Sequence, residues 1–165
     1  MKGKVWKYGD DVNTDVILPG RYLSNYDEQF LASHAMEDLD RGFAPNVMQG
    51  DVVIGGRNFG CGSSREQAAT ALKAAGVQAV IAKSFARIFY RNAINVGLAV
   101  IQAPELVDKL QKGDEIDLDL EKGMVKILST GEVVSFRALP PFIMEILKDG
   151  GLIPHLRKKM TSAQS

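Results

Sequence analysis

The chain predicts an α/β fold: a small parallel sheet covered by helices, followed by a β-rich extension. Three observations point there. Short apolar runs at DVVIGG (51–56), VQAVIAK (77–83) and LAVIQA (98–103) alternate with segments of helical period, the pattern of parallel strands joined by right-handed crossovers. DEIDLDL (114–120) then switches to strict alternation, with Lys122-Gly123 and Thr130-Gly131 as turns, which is the pattern of an antiparallel meander. A length of 165 residues, 45% of them hydrophobic, suits one core and one domain. The expected division is 1–113 for the α/β core, 114–140 for the meander and 157–165 for a frayed tail.

GKVWKYG alternates weakly and reads as a first strand. DDVNTDVILPGRYLSNYD is a long irregular connection around a short apolar VIL. Phe30, Leu31, Ala35, Met36 and Leu39 give residues 28–40 helical spacing, and RGFAPNVMQG breaks it. In REQAATALKAAG, Ala68, Ala69, Leu72 and Ala75 mark one helix face that Gly76 ends. SFARIFYRNAINVG is a second helix with Ser84 as N-cap and Gly97 as stop, and ELVDKLQKG is a third. PPFIMEILKDGGLIPHL closes the chain with a helix.

Composition excludes several functions. Twenty basic and twenty acidic residues cancel, so no overall field draws the chain to nucleic acid or to an anionic membrane. The apolar runs are far shorter than a membrane span and the N-terminus has no signal-peptide core, so the expected location is cytoplasmic. One cysteine, Cys61, cannot close an internal disulfide or hold an iron–sulfur cluster unaided. His34 and His155 are far apart and have no carboxylate at metal spacing. No metal or cofactor is therefore expected on this chain itself.

The chemistry concentrates in NFGCGSSREQA (58–68). Gly60 and Gly62 let backbone N–H groups approach a ligand, and a helix N-terminus with Arg65 adds positive potential, which describes a carboxylate or phosphate pocket. The plainer reading is a tight strand-to-helix turn in which Ser63, three residues before Glu66, forms a capping box. GxGxxG is absent and no lysine stands where a Walker loop needs one. Neither histidine is near Cys61 in sequence, so its expected role is packing, not nucleophilic attack.

GRNFGCGSSREQAATALKAAGVQAVIAKSFARIFYRNAINVGL, preceded by GDDVNTDVILPGRYL, resembles the small subunit of 3-isopropylmalate dehydratase, the isomerase of leucine biosynthesis, and the swivelling β/β/α domain of aconitase. The likeness covers most of residues 4–104 and continues more loosely through the meander. It implies a hydro-lyase that interconverts 2- and 3-isopropylmalate through 2-isopropylmaleate, with a [4Fe-4S] cluster in a separate large subunit, in a heterodimer or heterotetramer. By the same resemblance Ser63 is the base, Arg65 clamps a substrate carboxylate, Ser64 supplies hydrogen bonds and Asp15 orients an active-site basic group. An Asx turn with Asn13 and Thr14 is the plainer reading of Asp15. The helix cap then falls to Ser64 or to backbone geometry, and Glu66 is structural. Lys83 and Ser84 support the loop from behind, while Arg87 and Asn92 pack around it.

The loop Arg21, Tyr22, Leu23, Ser24, Asn25 corresponds to the family's reader of the variable part of the substrate. A hydrophobic residue after the Tyr-Leu pair suits an isopropyl group, and an arginine there suits an extra carboxylate. Ser24 is neither, so isopropylmalate leads, with citramalate or dimethylmalate as neighbours and a homoaconitate-type substrate disfavoured unless Arg21 provides the charge. The competing class is a non-catalytic anion- or RNA-binding module. The balanced charge opposes RNA, and Asp15, Ser63, Ser64 and Arg65 standing together oppose loss of catalysis.

Overall fold

The computed structural model describes residues 1–63 and 65–164. Strands β1 (Lys2–Lys7), β2 (Val52–Ile54), β3 (Ala79–Ala82) and β4 (Ala99–Gln102) pair in parallel. Strands β5 (Glu115–Asp119), β6 (Met124–Ile127) and β7 (Val133–Ser135) form the antiparallel meander. The meander is not a layer packed on the parallel unit. β5 pairs with the free edge of β1, Lys2 opposite Asp117 and Gly3 opposite Ile116, so one sheet runs β4-β3-β2-β1-β5-β6-β7. An open edge of unpaired N–H and C=O groups is what such an addition satisfies.

Helices α1 (Thr14–Ile17), α2 (Glu28–Ser33), α3 (Phe43–Asn46), α4 (Glu66–Ala74), α5 (Arg87–Val96), α6 (Pro104–Lys109), α7 (Pro141–Lys148) and α8 (Leu152–Gln164) connect and flank the strands, with a 3-10 turn at Gly20–Tyr22. The parallel strands read as continuous apolar runs because both faces are covered. Val53 and Val80 pack with residues of α1, α2, α4 and α5 on one side, while Val52, Ile54, Ala79 and Ile81 pack with α6 and the meander on the other. β5 has one wet face and alternates instead, with Ile116 and Leu118 inside. Each fully buried Val, Ile, Leu or Phe contributes about 1.5–3 kcal/mol.

Asp51 ties β1 to the turn before β2. Its buried carboxylate accepts from Lys4 N at 2.9 Å, Trp6 Nε1 at 3.0 Å and Met48 N at 2.9 Å, so the charge has three donors in place of water. Helices α4 and α5 end as their glycines predict. Gly76 N bonds to Lys73 O and Val77 N to Leu72 O, and the same pair of bonds recurs from Gly97 to Ile94 and from Leu98 to Ala93.

Three local expectations are corrected. The helix predicted for 28–40 stops at Ser33, because Met36 turns to φ 60 and gives its N–H to Ile17 O at 2.8 Å. That backbone conformation costs about 1–2 kcal/mol, and full burial of the methionine side chain offsets it with about 1.5–3 kcal/mol. Ser84 does not cap α5, whose N-cap is Ala86; its hydroxyl accepts from Asn58 N at 2.8 Å. The single closing helix is two, α7 and α8, separated by Gly150 and Gly151, both at positive φ. Helix α8 runs through Gln164, in line with the helix-forming residues Arg157, Lys158, Lys159, Met160 and Ala163, and Ser165 at the end of the expected tail lies outside the described residues.

The start of α8 is tied back to the end of α7. Asp149, the C-cap of α7, accepts from His155 Nδ1 at 2.8 Å and from Lys158 Nζ at 3.1 Å. The hydrogen bond to His155, then that to Lys158, holds the Asp149 carboxyl below its ordinary pKa. A carboxyl whose folded pKa is depressed stabilises the fold above its unfolded value and loses that contribution as pH falls through the folded value. Asp149→Asn should lower the melting temperature at neutral pH, and the gap from wild type should close as the buffer is taken into the acid range. Melts followed by circular dichroism check this, and a gap independent of pH would exclude the ionic account.

Candidate active site

Three loops meet where parallel strands end: residues 8–13 and onward after β1, 55–63 after β2 and 83–86 after β3. The carboxyl ends of parallel strands are where open α/β sheets bind ligands. The loop after β2 lies between the other two. On one side Phe59 N bonds to Ser84 O at 3.0 Å and Ala86 N to Phe59 O at 2.9 Å. On the other, Gly60 N bonds to Val12 O at 2.7 Å, and Thr14 N bonds to Cys61 O at 2.9 Å. Asn58 and Asp11 both sit at positive φ there, joined by a bond from Asn58 Nδ2 to Asp11 Oδ1 at 3.2 Å.

Phe59, Phe85 and Phe89 form the floor, with ring centroids 5.3–6.3 Å apart. Gly60 crosses this floor at φ 82, and a Cβ on it would lie 2.2 Å from Phe89 Cγ. The glycine is therefore required twice, for its conformation and for its lack of a side chain.

Above the floor, Ser63 is exposed and its carbonyl accepts from the buried Thr14 Oγ1 at 3.0 Å. Arg65 is the N-cap residue of α4 and makes no side-chain cap, so Glu66 is the first helical residue. The capping box between Ser63 and Glu66 is thereby ruled out, and the cap falls to backbone geometry at Arg65. Asp15 lies in the first turn of α1, whose cap is Asn13 Oδ1, accepting from Val16 N at 3.0 Å. Asn13 thus caps α1, bonding three residues on where an Asx turn would bond two, and the capped turn presents Asp15 to Arg65, whose Nη1 donates to Asp15 Oδ1. The pair faces solvent, with the Arg65 side chain 26% and the Asp15 side chain 62% exposed. Ser64, expected in the same cluster, lies outside the described residues.

The loop of residues 20–25 abuts this cluster. Gly20 lies under the guanidinium: a Cβ there would come within 3.3 Å of Arg65 Nη1. Leu23 O accepts from Gln67 Nε2 at 3.2 Å. Tyr22 stacks on His34 with centroids 3.9 Å apart, and Arg21 covers the other ring face at 4.8 Å. Ser24 is exposed and Asn25 turns its Oδ1 to Asp27 N at 2.8 Å. Arg21 is committed to Asp38, through Nη1 at 3.1 Å and Nη2 at 2.8 Å, and to Glu37 at 3.2 Å, so it does not provide a free second charge. The bond to Asp38, then that to Tyr22, raises its pKa further above the usual arginine value. Lys83 pairs with Asp108 on α6 at 3.0 Å, leaving Ser84 as the support behind the loop.

Cys61 is half-buried, and desolvation, then the charge of Asp11, pushes its thiol up, the reverse of an activated nucleophile. Among the described residues, no group of three or more His, Cys, Asp or Glu side chains could hold a metal ion. None of the described helices is long and apolar enough to cross a membrane. Thr14, Gly20 and Gln67 are the contributors that sequence reasoning missed. Their partners lie 49, 45 and 44 residues away, so no local pattern marks them.

Residues 25–106 match the family model of the aconitase C-terminal domain. The 3-isopropylmalate dehydratase small subunit of Thermodesulfovibrio yellowstonii is 50% identical over 161 residues, which is 98% of this chain and 96% of that protein. The chain belongs to the family of 3-isopropylmalate dehydratase small subunits. Another relative, the isopropylmalate/citramalate isomerase small subunit of Methanocaldococcus jannaschii, is 53% identical over 164 residues, covering 99% of this chain and 98% of that one. A crystal structure of 3-isopropylmalate dehydratase from the same organism matches with a TM-score of 0.90 at 48% identity, over 99% of this chain and 98% of that chain. The fold is thus that of the aconitase C-terminal domain, and the dehydratase family is one of hydro-lyases.

The floor of this small-subunit site yields a stability prediction. Gly60→Ala must both enter the left-handed region and displace the Phe89 ring. The expected loss is about 2–5 kcal/mol, from strain plus overpacking. Urea unfolding of the isolated chain measures it, and a loss below about 1 kcal/mol would mean the loop relaxes without the ring.

Proposed function

We propose that the protein is the small subunit of a heteromeric hydro-lyase that interconverts 2-isopropylmalate and 3-isopropylmalate through 2-isopropylmaleate, a step of leucine biosynthesis. The observation that carries the reading is the solvent-open Arg65–Asp15 pair at the start of α4, beside the exposed Ser63 and at the carboxyl ends of the parallel strands.

The chemical task is to take a proton from a carbon next to a carboxylate while a hydroxyl leaves from the neighbouring carbon. Ser63 Oγ, as the alkoxide, takes the proton; the C–H electron pair becomes the double bond, and the C–O pair leaves with the oxygen as hydroxide. Addition in the opposite sense, oxygen to the carbon that lost the proton and the proton to its neighbour, gives the isomer. A serine oxygen serves as base only where positive potential favours its anionic form, and the α4 N-terminus with Arg65 supplies it. Arg65 has five N–H donors. Asp15 engages Nη1, so the Nη2 and Nε edges are available to hold a substrate carboxylate as a fork. Asp15 holds the guanidinium in that orientation. Ser64 adds hydrogen-bond donors to the same anion.

The cluster chemistry does not fit this chain, which has one cysteine and, among the described residues, no group of three or more His, Cys, Asp or Glu side chains that could hold a metal. A [4Fe-4S] cluster held by the large subunit would supply the Lewis acidity that such a hydroxyl needs to depart. Ser63 and Asp15 are exposed, and the large subunit encloses them to complete the site. The assembly works in the cytoplasm, where a lone thiol stays reduced.

The substrate is an alkyl malate. Arg21 is held by Glu37 and Asp38, which disfavours a tricarboxylate. Ser24 is small and exposed, leaving room for an isopropyl group without requiring it, so citramalate is a second substrate. The name of the M. jannaschii relative pairs the same two acids.

The test is the mixed enzyme, small subunit with large subunit, assayed anaerobically on alkyl malates. Ser63→Ala should reduce turnover by about a hundred- to ten-thousandfold while assembly and melting temperature are kept. Rates near wild type would refute the base. Arg65→Lys keeps the charge but loses the fork, so kcat should fall and KM rise together; normal values for both would refute the clamp. Ser24→Val should change the ranking of alkyl malates, and an unchanged ranking would remove that loop as the reader.

A further inference from the structure

We infer that Gln67 is a positioning residue for substrate selection, acting through the loop of residues 20–25. This rests on the reading above, in which Arg65 holds the substrate carboxylate and that loop faces the variable alkyl end. The loop is docked on the start of α4 at two points. Gly20 lies against the Arg65 guanidinium, within 3.3 Å of Nη1 for an added Cβ, and Leu23 O accepts from Gln67 Nε2 at 3.2 Å. Arg65 and Gln67 stand two residues apart where α4 begins, so both contacts refer the loop to the same piece of backbone.

The two contacts divide the work. The direction of the guanidinium is set by Asp15, on α1, without help from Gln67. The other side of the loop is fastened to the region of α2, through Tyr22 on His34 and Arg21 on Glu37 and Asp38. That fastening leaves the height of Leu23 and Ser24 above α4 to be set by the Gln67 amide, which is half-buried in the contact. Removing the amide donor therefore frees the loop tip while leaving Ser63, Arg65 and Asp15 in place. The consequence is poorer discrimination between alkyl groups, with the chemical step preserved.

Gln67→Leu, which keeps the volume and removes the donor, is assayed in the reconstituted enzyme on isopropylmalate and citramalate. The ratio of the two kcat/KM values should move toward one by about fivefold, the factor of one lost hydrogen bond, with kcat on the better substrate within about threefold of wild type. Gln67→Met, measured in parallel, guards against a packing fault confined to the branched side chain. Ser24→Val should shift the ratio less in the Gln67→Leu background than alone, because both act on one loop. An unchanged ratio in both variants, an equal loss on both substrates, or a Ser24→Val effect identical in both backgrounds overturns the inference. A wild-type enzyme inactive on both acids overturns the functional reading itself; a discriminating wild type with an unaltered Gln67→Leu ratio overturns this inference alone.

Discussion

The site depends on one close approach: Gly60 lies on the Phe89 ring with its N–H bonded to Val12 O at 2.7 Å. No side chain fits between residue 60 and that ring, so the loop after β2 is pressed into the groove between the loops after β1 and β3. Once Gly60 is held there, residues 12–15 must run beside 60–63. Thr14 then reaches Cys61 and Ser63 through its N–H and its hydroxyl, and Asp15 comes to face Arg65. A packing constraint deep in the core thus determines which charged groups meet at the surface.

The sheet makes that constraint rigid. β1 is shared, giving residues Val5–Lys7 to β2 and Lys2–Lys4 to β5, so the loop that follows it issues from a strand bonded on both sides. The Asp51 carboxylate accepts from three donors on the same strand and the turn beside it. A buried carboxylate with its donors removed costs several kcal/mol, so the two sides are interlocked. The meander lengthens the sheet away from the site, which leaves the carboxyl ends of β1, β2 and β3 open to a second chain.

The alternation of strands and helices is legible in the chain because burial on both faces leaves plain apolar runs, and the stops at Gly76 and Gly97 are legible because a left-handed C-terminus needs glycine. Caps are not legible in the same way. Ser63 and Ser84 both stand where a cap should, yet the helices begin later, and Ser84 gives its oxygen to Asn58 N. A hydroxyl has several competing donors within reach, and spacing does not rank them. The break at Met36 is equally hidden, since a tertiary bond to Ile17 outweighs a helical pattern. The meeting of Asp15 with a basic group is read only through the family resemblance, and the Gln67–Leu23 bond through nothing in the sequence at all.

Two arginines near the site are paired with acids, and the difference between them is instructive. Arg21 is bound by two carboxylates on both nitrogens, which fixes it as a brace. Arg65 meets Asp15 through Nη1. An ion pair open to solvent is worth about 0–1 kcal/mol, too little to matter for the fold. Its effect is directional, since a guanidinium anchored at one nitrogen presents its remaining donors along one edge. Asp15 occupies the Nη1 side of Arg65, so an anion meets like charge there and finds the donors of the opposite edge instead. Under the function proposed above, selecting the edge selects the orientation of the substrate, and with it which carbon lies toward Ser63.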